Sequence, residues 1–251
     1  AWGGGVGTRA WPAGRWPCTS LAVWPPGSPG PIRRSRRPPL AAATVAEAKR
    51  ALKCGHGAGS LPSRLLMTDA ARAPEPAADI ARLEPGDAVI VRDYSARDRA
   101  AQARALKRLC RRRRLRLLVA ADAQLARAIG ADGLHLPESL VAAPGWRRWK
   151  RPGWLVTAAA HSAPAIARAF ASGVDAVLLS PVFPTASHPD GRVLGVIRFA
   201  RLVRWSPLPV YALGGISAAT LRRLNGIPIA GIAGISAVAG IRLPRRNPRR
   251  R

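Results

Sequence analysis

The sequence predicts an α/β protein: a single (β/α)8 TIM barrel over residues 63–240, with a low-complexity N-terminal extension (1–62) and a basic C-terminal tail (241–251). Three observations carry this expectation. Short apolar runs alternate with helical patterns from Ser63 onward, the order of a parallel sheet wrapped by helices. The clearest strand, Ala176-Val177-Leu178-Leu179, is a continuous apolar run, as a strand covered on both faces requires. No glycine fingerprint follows the first strand, where an open doubly wound sheet would place one.

The extension is rich in Gly, Pro, Trp and Arg, with a single acid, Glu47. Pro25-Pro26 and Pro38-Pro39 forbid long helices, and such a composition cannot bury enough apolar surface to fold. It reads as disordered or as a shifted gene start, the first methionine being Met67. From residue 63 each element has a local reason. Residues 65–67 form a first strand ending at Thr68-Asp69, then a short helix over 77–83 and a turn at Glu84-Pro85-Gly86-Asp87. The second strand, 88–91, ends at Arg92. Ser95 is positioned to cap a helix over 96–112, with Ala103, Leu106 and Leu109 at helical spacing. A third strand covers 115–120; Asp122 caps a helix closed by Gly130. Residues 133–136 and 155–159 are the fourth and fifth strands, separated by a basic helix end or loop near Trp146. An Ala-rich helix to Ser172 follows His161-Ser162, and 176–179 is the sixth strand. A helix over 193–203, a strand over 209–213, a helix capped by Ser217 and an eighth strand over 229–235 complete the ring.

In such a barrel the chemistry belongs at the C-terminal ends of the strands. Thr185, Ser187 and His188 lie in the loop after strand six. Gly214-Gly215 after strand seven, and Ile235-Ser236 after strand eight, read as a phosphate cradle of backbone N–H groups or as glycine turns at helix caps. A Cβ at those glycines would hold a phosphate away from the backbone. His161 follows strand five and is a candidate general acid/base, because an imidazole titrates near working pH. His135 lies within strand four, with a core or a substrate-stacking role equally open. Arg92 is a rim salt bridge or an anion clamp.

Composition narrows the partners. A formal charge of +28 suggests anionic partners, yet the arginines sit in runs at 33–37, 111–116 and 245–251 without interleaved aromatics. Nucleic-acid binding is therefore the outside alternative, and a solvated helix end is preferred for 111–114. Three cysteines at no metal spacing fit a reducing cytoplasm, and no stretch can span a membrane. Oligomeric state is left open, with a homo-oligomer compatible.

The segments AIGADGLHL (128–136), AHS (160–162), SPVFPTASHP (180–189), ALGGI (212–216) and GIS (234–236) resemble the thiamine phosphate synthase/TenI family, across the whole barrel. The resemblance implies joining of hydroxymethylpyrimidine diphosphate to thiazole phosphate with release of pyrophosphate, using Mg²⁺ and cationic donors. It implies a thiazole-phosphate cradle at Gly214, Gly215, Ile235 and Ser236, hydroxyl ligands at Thr185 and Ser187, and substrate contacts from Arg92 and His135. The family's Asn-Asp on strand three falls on Ala120-Ala121, its second Mg²⁺ carboxylate near Leu140, and its loop Lys on His188. A Mg²⁺ site is thereby short of oxygen ligands. The TenI branch, a thiazole tautomerase using a His where His161 stands, is the alternative reading, and a non-catalytic thiazole-phosphate binder is the third.

Overall fold

The structure is a computed structural model and describes residues 61–94, 98–185, 192–241 and 243. The extension up to residue 60, nearly all of the tail, and the loop positions Ser187 and His188 lie outside the described residues. Eight parallel strands close into a barrel in sequence order. They are β1 Arg64–Met67, β2 Ala88–Val91, β3 Arg116–Ala120, β4 Gly133–Leu136, β5 Leu155–Ala160, β6 Ala176–Leu179, β7 Val210–Leu213 and β8 Gly231–Gly234. Between them run α1 Pro76–Ala81, α2 Arg99–Arg112, α3 Ala123–Ala128, α4 Ala163–Ala171, α5 Gly195–Trp205 and α6 Ala218–Arg222. Short 3₁₀ turns follow β4 and β8.

Alternation along each strand divides the apolar side chains into two layers. Leu65, Met67, Ala88, Ile90, Leu118, Ala120, Leu155, Ala176, Leu178, Tyr211 and Ala233 fill the barrel interior. The intervening residues, such as Leu66, Val89, Val119, Val156 and Val177, pack outward against the helices. This two-sided burial is why the strands read as unbroken apolar runs. Two strand glycines let neighbouring backbones close up. A Cβ at Gly133 would lie 2.0 Å from the Leu155 carbonyl oxygen, and one at Gly231 2.2 Å from that of Ser63.

Helix starts follow local capping chemistry. Asp122 and Ser217 accept a hydrogen bond from a backbone N–H of the first turn of α3 and α6, as their sequences predict, and Ser162 does the same for α4. Helix α2 is the exception. Its cap is Asp98, which accepts from Ala101 N at 3.0 Å, rather than Ser95. Helix α5 also begins two residues later than its hydrophobic pattern suggests. Leu194 N and Gly195 N are hydrogen-bonded back to Pro181 O and Val182 O of the loop after β6, which holds the chain out of helix until that point.

Candidate active site

Parallel closure brings the C-terminal ends of all eight strands to one rim, and most of the sequence-predicted site residues end there. His161 directly follows β5, and its Nδ1 lies 2.8 Å from the carbonyl oxygen of Ser180 at the end of β6. Ser180 Oγ is 3.3 Å from the same nitrogen. A carbonyl only accepts, so Nδ1 carries a proton, and Nε2 is the ring nitrogen that Ser180 does not engage. The side chain stands exposed to solvent.

His135 sits deeper. It is 3% exposed on β4, and its Nδ1 is 2.9 Å from Thr157 Oγ1 on β5, its partner in register. Burial, reinforced by the nearby Arg92 charge, lowers its pKa to about 4. It is a neutral imidazole at physiological pH. Arg92 extends from the end of β2 and pairs with Asp69 of the β1 loop at 2.5 Å, with 33% of its side chain exposed. It is thus a rim salt bridge, one of the two roles its sequence allows.

The loop after β6 is anchored by its apolar residues. Val182 and Phe183 are buried, and their N–H groups donate to Leu213 O at 3.0 Å and Gly214 O at 3.1 Å. Thr185 is half-buried at its end. Gly214 and Gly215 adopt φ of 95° and 65°, the left-handed region. Packing supplies a further reason for glycine at these positions. A Cβ on Gly215 would lie 2.5 Å from Pro184 O and 2.6 Å from Phe183 Cβ, and one on Gly214 2.9 Å from Pro181 Cα. The glycines are demanded by the β6 loop lying against the β7 end, and that contact leaves the rim's backbone fixed in place. Just after β8, Ile235 is followed by Ser236, the exposed residue preceding the closing 3₁₀ turn, whose hydroxyl makes no capping bond.

Sequence reasoning missed Arg99. It opens α2, yet its Nη2 donates to Ala120 O at the end of β3 at 2.5 Å. Its guanidinium stacks 5.4 Å over the Tyr94 ring and lies 3.7 Å from Asp122. Its Nε is buried with no partner. The only local signal was an arginine in a first helical turn, where a cation opposes the helix dipole. Beside it Ala121 holds φ of 62°, unusual for a residue with a Cβ.

The family model described as thiamine monophosphate synthase matches residues 69–238. A putative thiamine-phosphate synthase 2 from Aquifex aeolicus is 32% identical over 126 residues, half of this chain and 67% of the relative. A putative thiamine-phosphate synthase from Geobacter sulfurreducens is 36% identical over 127 residues, and the match spans only 60% of that relative's length. Among solved structures, a thiamine phosphate pyrophosphorylase from Pyrococcus furiosus superposes with a TM-score of 0.58 at 26% identity, covering 71% of this chain and 88% of that one.

Proposed function

Because the chain belongs to the thiamine monophosphate synthase family, we propose that it condenses hydroxymethylpyrimidine diphosphate with thiazole phosphate, forming thiamine phosphate and releasing pyrophosphate. The observation that carries this reading is the joined β6–β7 rim: Gly214 and Gly215 locked in left-handed backbone under the Pro181–Pro184 segment, with Ser236 opening the next turn. In this reading the N–H groups at the ends of β7 and β8 receive the thiazole phosphate, with Thr185, Ser187 and Ser236 as hydroxyl donors. Neutral His135 offers a polar edge to the pyrimidine without adding a charge that would oppose the methylene cation. Arg92 balances the charge that builds on the leaving diphosphate as the carbon–oxygen bond breaks. The thiazole nitrogen then attacks that carbon. His161, with Nε2 not engaged by Ser180, and His188 complete the candidate acid/base set.

The family uses Mg²⁺, which would neutralise the diphosphate oxygens. The described residues do not fit it. No three His, Cys, Asp or Glu side chains converge on a point among them. Asp69 is held by Arg92, Asp122 accepts from Leu125 N at 2.8 Å, and Glu138 pairs with Arg168 at 2.6 Å. Asp93 is tied at 2.5 Å to Thr68 Oγ1 and at 2.7 Å to Ala70 N. These commitments, with His161 at the rim, favour one second reading: proton transfer within a thiazole carboxylate phosphate, which needs a base and a phosphate anchor and no metal. Purified protein given both condensation substrates and, separately, the thiazole carboxylate phosphate decides. Thiamine phosphate as product of the first is expected. Its absence, with tautomerisation of the carboxylate that is lost in His161→Ala, would establish the second reading instead.

A further inference from the structure

We infer that the rim between β2 and β3 is a metal-free diphosphate site in which the Arg99 guanidinium, seated at the end of β3, stands where a carboxylate-bound cation would be expected. The inference rests on the activity reading only for the choice of diphosphate as ligand.

Three features converge on that quadrant. Arg99 is fixed rather than solvated: 16% exposed, hydrogen-bonded to Ala120 O and stacked on Tyr94. Its orphaned Nε shows a guanidinium held in place with its donors incompletely satisfied. Tyr94 is itself under the influence of both neighbouring arginines: burial raises its pKa, while Arg92 and Arg99 oppose that rise. So two guanidinium groups flank one phenol at the mouth of the barrel. At the end of β3, Ala120 and Ala121 carry no polar side chain of their own, so the polar groups in this quadrant come from Arg92, Tyr94 and Arg99.

The carboxylates nearby cannot serve a hard cation, which demands several free oxygens in near-octahedral array. Each also faces an arginine, at unequal distance: Asp69 pairs with Arg92 at 2.5 Å, whereas Asp122 stands 3.7 Å from Arg99. Asp122 caps α3 through Oδ1, 2.8 Å from Leu125 N, and its Oδ2 keeps only the longer contact with Arg99, which an incoming phosphate oxygen would have to displace. A planar guanidinium matches two oxygens of a phosphate at once, and a diphosphate can bridge two such groups.

The test is calorimetric titration of the full chain with inorganic pyrophosphate, in EDTA and in Mg²⁺. The site predicts binding in EDTA, weakened about tenfold or more in Arg99→Met and less in Arg99→Lys, which keeps the charge but not the fork. Asp122→Asn separates the two accounts by sign. Asn still caps α3, and removal of the competing carboxylate strengthens pyrophosphate binding if Arg99 is the receptor, whereas a metal-held diphosphate would lose a ligand and weaken. Binding that requires Mg²⁺, or that is unchanged in Arg99→Met and weaker in Asp122→Asn, overturns the inference. Pyrophosphate binding of the predicted pattern without condensation product supports the site and removes the activity reading.

Discussion

At the N-terminal end of the barrel Arg64 is 4% exposed, and it gives Asp87 two hydrogen bonds, from its backbone N at 3.1 Å and Nε at 2.7 Å, with Nη2 in an ion pair at 2.6 Å. Its Nη1 reaches Ile241 O at 3.0 Å, tying the first strand to the chain beyond the last. Tyr211 fills the floor beside it and donates to Pro62 O at 2.7 Å. At the opposite end Arg92 shares one Asp69 oxygen and stays one-third exposed, Arg99 keeps an unpartnered Nε, and His161 stands in solvent. The same residue types serve both ends. On the floor their polar groups are closed on one another, so their contribution is to stability. On the rim they are positioned but incompletely satisfied, which is the condition for receiving a ligand.

Breaking the floor should have the largest effect. Asp87→Ala leaves Arg64 charged and buried without its partner, and is expected to cost about 3–5 kcal/mol of stability in urea denaturation. A loss below about 1 kcal/mol would show that the floor is no more closed than the rim. His135 lies between the two ends and should behave as a floor residue. Its pKa is held at about 4 in the folded protein against 6.5 in the unfolded chain. Between those values the unfolded chain binds the additional proton. The contribution of the neutral ring is therefore complete above about pH 6.5 and falls as the pH drops toward 4, by on the order of 3 kcal/mol. Comparing the stability–pH slope of His135→Gln with that of the parent isolates it; identical slopes between pH 4 and 6.5 would refute the shift.

Gly215→Ala probes the rim's scaffold. A Cβ there meets Pro184 O and Phe183 while forcing a left-handed residue, so a loss of about 2 kcal/mol is expected. A variant of parental stability that merely binds phosphate more weakly would return the glycine to an anion-clearance role. The smallest stability effect belongs to His161→Ala, within about 0.5 kcal/mol by thermal unfolding, because the ring is exposed. Turnover should nevertheless fall about 100-fold or more if Nε2 moves a proton. Loss of stability without loss of turnover would make His161 a structural residue.

The sequence by itself determined the succession of strands and helices, the burial of the strands on both faces, and the caps at Asp122 and Ser217. Those properties depend on alternation and on side chains reaching backbone three residues away, so they are legible in any short window. It also placed His161, Gly214 and Ser236 at strand ends, and a parallel barrel gathers strand ends onto one rim. Only the tertiary structure decided what those residues touch. Arg64 meets Asp87 and Ile241, 23 and 177 positions away; Gly215 is a glycine because of Pro184 on another loop; Arg99 crosses from the start of a helix to the end of the neighbouring strand. Such contacts exist because ring closure brings distant segments within hydrogen-bonding range, and no local pattern encodes which side chain will be waiting there.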